Sequence, residues 1–170
     1  MVPINLTVKN FLCYRENVPT VHLEGFRVAC LCGQNGHGKS ALLDAITWAL
    51  WGRARGKNQD ELIYYGAGEM LVELDFEARG GRYRVTRRHA RAGGGARRGA
   101  SSDLQLQVHD GSQFLPITGN VIRETQRKID QLIGMDYDTF INTAFLLQGR
   151  ADEFTNRTPG ERKQVLAKVM

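Results

Sequence analysis

The chain has 170 residues, 42% hydrophobic and 24% charged, which is enough for one domain with a buried core and is ordinary for a folded globular protein. No apolar run approaches the roughly 20 residues of a membrane-spanning helix. Pro3, Asn5, Thr7 and Lys9 interrupt the layout of a signal peptide, so a cytoplasmic location is expected. The net charge of +5 is uneven: eight arginines (Arg79, Arg82, Arg84, Arg87, Arg88, Arg91, Arg97 and Arg98) fall between Glu77 and Asp103 with no acid among them. They exceed the whole net charge by three, leaving the rest of the chain at −3. Such a patch points to a polyanion at one place on the surface.

In chain order, 4–9 alternates apolar and polar and predicts a strand. Residues 10–20 predict a loop, 21–23 a short strand, and 26–32 a buried strand. Residues 39–51 predict a helix, with Leu42, Leu43, Ile46, Ala49 and Leu50 at helical spacing. Trp48 and Trp51 broaden that face and are read as packing residues, and Gly52 ends the helix. Residues 53–68 are irregular, with one helical turn near 60–63. Strands at 70–76 and 81–88 turn at Gly80-Gly81, and 91–102 is a glycine-rich loop. A second hairpin joins 104–108 to 113–115 across Asp110-Gly111. A helix over 120–133 has Asn120 as its cap, and a short helix follows from 136 to 144. Thr158-Pro159-Gly160-Glu161 opens a last helix with a capping box. That helix runs to Met170, so the chain is expected to be part of something longer. Cys13, Cys30 and Cys32 are odd in number and are expected as free thiols in a reducing compartment.

The segment Gly33-Gln34-Asn35-Gly36-His37-Gly38-Lys39-Ser40 carries the chemistry. Between an apolar run and a helix, it reads as a nucleoside-triphosphate phosphate loop. Its glycines let backbone N–H groups turn toward a β-phosphate. Lys39 reaches the β- and γ-phosphates, and Ser40 offers its hydroxyl to Mg²⁺. Asn35, Gly36, His37, Gly38 and Ala41 complete the candidate ATP contacts, His37 at a variable position. A Mg²⁺-binding acid at the end of an apolar run is missing. Leu71-Val72-Glu73-Leu74-Asp75 is the near match, but Glu73 interrupts it and its alternation suits a half-exposed antiparallel strand. No Asn-Lys-x-Asp guanine signature is present.

Several further stretches carry a resemblance: Val8-Lys9-Asn10-Phe11, Leu43-Asp44-Ala45-Ile46, Tyr137-Asp138-Thr139-Phe140, the run from Phe145 to Phe154, and Pro159-Gly160-Glu161-Arg162-Lys163. With the phosphate loop they make the chain resemble the N-terminal ATPase segment of the SbcC-type DNA double-strand-break repair ATPases, relatives of the structural-maintenance-of-chromosomes proteins. The resemblance implies an α/β P-loop NTPase, half (lobe I) of an ABC-type head. It implies a mixed sheet plus an antiparallel β region, and a C-terminal helix leading into a coiled coil. Residues 1–157 would be the head part, with the basic hairpin and loop at 79–102, and 158–170 the start of the ascending coil. It implies ATP and Mg²⁺ as cofactors. The implied partners are a C-terminal ATPase segment of the same polypeptide, a second copy of the head, an SbcD-type nuclease and duplex DNA, with no membrane and a nucleoid-associated location. Gln148 takes the place of the Q-loop glutamine, ligating Mg²⁺ or orienting the attacking water. Leu12 stands where family members often carry a basic residue, and Arg15 is the candidate for that phosphate role. Hydrolysis is expected to require the missing segment.

For the basic hairpin, Arg87, Arg88, Arg91, Arg97 and Arg98 are the candidates for backbone contact with DNA. Tyr83 is the lone aromatic among them, which argues against stacking on single strands. Two other functions are compatible with the residues: a chromosome-organising or recombination ATPase without a nuclease partner, and a self-contained nucleotide-binding regulatory domain.

Overall fold

The computed structural model describes residues 1–26, 28–56, 58–93, 99–143, 158 and 160, with side chains described to residue 141 and at 158 and 160. Among the described residues, six strands form one sheet in the order β2-β1-β3-β4-β5-β6. They are β1 (Val2–Lys9), β2 (Val21–His22), β3 (Glu69–Ala78), β4 (Gly81–Ala90), β5 (Ser101–His109) and β6 (Phe114–Pro116). The helices are α1 (Lys39–Trp51), α2 (Ile122–Ile133) and α3 (Tyr137–Thr143), with a 3-10 turn at Gln59–Leu62.

Alternation builds the sheet. Ile4, Leu6 and Val8 of β1 are buried, as are Met70, Val72, Leu74 and Phe76 of β3, Val85 of β4, and Leu104 and Leu106 of β5. Helix α1 covers this face over β3 and β4, and α2 covers β5. Ala45, Trp48 and Ala49 of α1 and Ile129 of α2 complete the core. Both tryptophans are packing residues: Trp48 lies 5.6 Å from Phe11, and Trp51 lies 4.8 Å from Phe140. The small residues Ala45 and Ala49 let the sheet approach α1 closely, so Trp48 can fill the space beside them.

Three expectations change. First, 26–32 is not a buried strand: Phe26 is 64% and Val28 89% exposed, and the described residues of the segment belong to no strand. The sheet already runs from edge β2 to edge β6 and leaves this segment no neighbour among the described residues. An unpaired apolar run has nothing to satisfy its backbone N–H and C=O groups but water. Second, every strand pairing among the described residues is antiparallel, so the mixed sheet is not seen there. Third, the N-cap of α2 is Val121, with no side-chain cap. Asn120 instead donates its backbone N–H to Glu124 Oε2 at 2.9 Å, so the acid of the first turn ties down the approach to the helix. The expected coiled-coil start lies almost entirely outside the described residues, where Thr158 is exposed and Gly160 is helical.

Candidate nucleotide site

Helix α1 starts immediately after Gly38, and its first turn contains no acid. The positive end of its dipole therefore faces the loop without a carboxylate of its own to neutralise it. Gly38 must be glycine for two reasons. Its φ is +85°, and a Cβ there would sit 2.6 Å from Cys13 Sγ and 3.0 Å from Tyr14 Oη. Tyr14 Oη donates to Gly38 O at 3.0 Å. Burial first, and the neighbouring Cys13 second, raise the Tyr14 pKa above its ordinary value, which keeps it a neutral donor. Lys39 Nζ donates to Gly33 O at 2.6 Å and to Gln34 O at 2.8 Å, closing the loop on itself. These two carbonyls hold the ammonium beside the cavity.

That cavity has a volume of about 470 Å³. Asn35, Gly36, Gly38, Lys39, Ser40 and Ala41 of the loop and helix start line it, together with Leu12, Cys13 and Arg55. A short antiparallel contact holds the segment of Leu12 in place. Phe11 bridges Ile63, Leu12 N donates to Leu62 O at 2.6 Å, and Tyr64 N donates to Asn10 O at 2.8 Å. Asn10 and Leu12 each take φ 51°, a conformation non-glycine residues adopt sparingly.

The structure thus brings six of the sequence-predicted residues to one cavity. His37 is exposed, with its backbone N–H 3.4 Å from Gln34 O. Arg15 sits against Tyr64 rather than in the cavity wall: its Nε donates to Tyr64 Oη at 3.0 Å, and its guanidinium lies 5.6 Å over the ring. Gln148 lies outside the described residues.

Arg55 is the residue that sequence reasoning missed. It lines the cavity and forms an ion pair with Asp44 of α1. Asp44 is 3% exposed. Burial raises its pKa, and the Arg55 charge and hydrogen bond only partly offset this. Its sequence signal was Asp44 itself, since an acid on a buried helix face needs a cationic partner.

The acid of the rejected Mg²⁺ motif is occupied elsewhere. Asp75 accepts two bonds from Arg84, at 2.6 and 2.9 Å, and one from Asn5 at 3.2 Å.

The basic hairpin changes most. β3 sets its acids opposite or diagonal to the β4 arginines, Asp75 facing Arg84 and Glu69 lying diagonal to Arg88. Arg84 pairs with Asp75, Arg82 lies 4.0 Å from it, and Arg88 pairs with Glu69. Three of the eight arginines are therefore paired with β3 acids across the sheet. Arg87 is no surface residue: it is 7% exposed, donating to Ala49 O at 3.1 Å, Leu50 O at 3.5 Å and Gln126 Oε1 at 2.8 Å. It closes the carbonyl end of α1 and is removed from the DNA-contact candidates. Its parity, opposite to that of Arg82, Arg84 and Arg88, turns it to the helix side of the sheet. Arg91 ties the loop to the 3-10 turn, donating to Asp60 O at 2.8 Å and Ile63 O at 3.4 Å. Arg97 and Arg98 lie outside the described residues. No helix among the described residues is long and apolar enough to cross a membrane.

The loop, the helix behind it and the antiparallel sheet form a P-loop, ABC-ATPase-like α/β fold, and the sequence profile of the AAA domain family (AAA_23) matches residues 5–168. The chain belongs to that family. It is similar to the SbcC component of the nuclease SbcCD of Deinococcus radiodurans, at 30% identity over 99% of this chain and 18% of that protein. It is also similar to the DNA double-strand break repair Rad50 ATPase of Halobacterium salinarum, at 33% identity over 95% of this chain and 17% of that protein. A solved structure from work on ATP-driven dimerization and DNA-stimulated activation of SMC ATPases superimposes with a TM-score of 0.68. It covers all of both chains at 20% identity, a likeness of fold. The chain thus spans less than a fifth of the length of these curated relatives.

Proposed function

We propose that this chain is the ATP-binding half of a DNA double-strand-break repair ATPase head. The observation that carries the reading is the pairing of Lys39 and the Gly36–Gly38 loop with a cavity of about 470 Å³ at the head of α1. The size suits a nucleotide. The lining fits a triphosphate, with backbone groups, an ammonium held beside the cavity, an acid-free helix start and a guanidinium.

In this reading Lys39 leaves Gly33 O and Gln34 O for the β- and γ-phosphates, and Ser40 holds Mg²⁺. Arg55, anchored by Asp44, supplies a second cation to the cavity. Arg15 is seated on Tyr64 and is not assigned a phosphate. Mg²⁺, when bound, neutralises charge on the phosphates and polarises the γ-phosphoryl group. Gln148 would orient water or reach the metal, and the general base would come from a C-terminal segment. ATP binding would favour pairing of two heads, and hydrolysis would release them. Duplex DNA and an SbcD-type nuclease are the proposed partners of the complete head. Arg88, Arg91, Arg97 and Arg98 are the proposed backbone contacts.

The test is ATP binding and hydrolysis by this chain, alone and with the C-terminal segment of its polypeptide, each with and without linear duplex DNA. The reading expects binding by the chain that Lys39→Ala abolishes, and hydrolysis only in the joined head. Arg55→Ala is expected to weaken nucleotide binding by about tenfold, the loss of one charge-assisted contact. Equal hydrolysis by the chain alone would overturn the split-site reading.

A further inference from the structure

Gly38 O accepts from three donors. Ala41 N reaches it at 2.9 Å and Leu42 N at 3.3 Å, the first bonds of α1, and Tyr14 Oη adds a third at 3.0 Å from outside the helix. The phenol comes from a fixed base. Tyr14 N donates to Phe11 O at 2.9 Å, and Phe11 is wholly buried, bridged to Ile63 and packed on Trp48. The carbonyl held in this way belongs to the peptide that joins Gly38 to Lys39. That peptide is trans, so its C=O and N–H point in opposite directions. With Gly38 O turned toward α1 and Tyr14, the Lys39 N–H is turned away from the helix body, toward the loop. It is one of the first-turn donors that find no acceptor within their own helix, and Lys39 lines the nucleotide cavity. Gly38, at φ 85°, has no Cβ to oppose rotation of this peptide. We propose that Tyr14 is a positioning residue for the nucleotide phosphates: its hydroxyl, by holding Gly38 O, aims the Lys39 N–H into the cavity.

The inference rests on the function proposed above and deepens it. An N–H aimed at a phosphate oxygen makes a charge-assisted bond at a helix start. Rotation of the Gly38–Lys39 peptide would present a carbonyl oxygen to the phosphates in place of that donor, exchanging an attraction for a repulsion. The two helix donors act on Gly38 O from the α1 side alone, one of them at the long distance of 3.3 Å. The phenol adds a hold that does not depend on the first turn of α1 staying wound. Burial keeps the phenol protonated, so it holds the carbonyl without adding a negative charge beside the phosphates. The effect therefore belongs to the polyphosphate and not to the base or ribose.

The experiment uses the protein at its full natural length and Tyr14→Phe, which removes the hydroxyl and keeps the ring. ATP and inorganic triphosphate, each with Mg²⁺, displace a fluorescent ATP analogue, and melting curves without nucleotide read the fold. Both titrations are run below the lower melting midpoint. Affinity for the two ligands should fall by about tenfold and by the same factor, because the misaimed N–H serves the phosphates alone. The midpoint should fall little, since the ring keeps its packing and Gly38 O keeps its helix donors. A lowered midpoint with both affinities unchanged is the result of a merely structural hydroxyl and would overturn the proposal. A loss for ATP that inorganic triphosphate does not share would also overturn it, because the effect would then lie at the base or ribose. Failure of the parent to bind ATP would overturn the function proposed above and this inference with it, whereas parent binding that Tyr14→Phe leaves unchanged would overturn the inference alone.

Discussion

Replacing Arg87 tests whether its side chain is a structural clamp or a surface cation. The guanidinium reaches two carbonyls at the end of α1 and the amide of Gln126 in α2, so it joins two helices through β4. Burial lowers its pKa from the ordinary guanidinium value to about 10, against a smaller opposing pull from Asp130. A shift of that size means that the fold disfavours the charged form by about 3 kcal/mol. Its hydrogen bonds and its place at a helix carboxyl end act in the other direction, each charged bond contributing about 1.5–3 kcal/mol and the helix terminus up to about 2. Arg87→Ala removes the partner and leaves Ala49 O and Gln126 Oε1 facing a cavity. A loss of about 2–4 kcal/mol is expected. Arg87→Met keeps much of the volume without the buried charge, so its cost should be smaller, about 1–2 kcal/mol. Arg88→Ala, an exposed pair with Glu69, should cost no more than about 1 kcal/mol. Urea unfolding measures all three through the shift in midpoint at constant slope. An Arg87→Ala loss under about 0.5 kcal/mol, the surface value, would refute the clamp. So would an Arg87→Met protein that loses duplex affinity as strongly as Arg91→Ala does.

Gly38→Ala should destroy nucleotide binding while leaving the sheet folded. The substitution adds about 1–2 kcal/mol of left-handed backbone strain to a Cβ–Sγ approach of 2.6 Å. Adding Cys13→Ala should restore part of the loss, and strict additivity in that double-mutant cycle would deny the contact. Trp48→Ala should cost about 3–5 kcal/mol in thermal or urea unfolding, because the side chain is fully buried on Phe11; a loss near 1 kcal/mol would mean that the core re-closes. For acid stability, Asp75 is the group to follow. Burial raises its pKa, but the bonds from Arg84 and Asn5 and the charges of Arg84 and Arg82 outweigh this and leave it below 3.8. Its stabilisation is therefore present above the unfolded value and disappears as pH falls through the lower folded value. Asp75→Asn should be less stable than the parent at neutral pH, with the difference shrinking below about pH 4, as unfolding curves across acid pH will show.

The sequence by itself determined the elements whose local signal is strong. The period of two in β3, the helical spacing of α1, the glycine turn between β3 and β4 and the phosphate-loop residues are all properties of neighbours along the chain. Such signals do not depend on what the rest of the protein does. Tertiary structure decided everything that needs a partner from elsewhere. The apolar run 26–32 looked like a central strand, but a strand exists only where another offers it hydrogen bonds. The arginines of β4 looked like one basic patch until register placed Asp75 opposite Arg84 and Glu69 beside Arg88. Arg87 lay in that patch by sequence and under α1 by pleat. Arg55 carried no motif, and only the buried carboxylate of Asp44, eleven residues earlier, brings it to the cavity wall. Charge and hydrophobicity are written in sequence, but whether a charge faces water, an acid or a helix end depends on distances that only the folded chain sets.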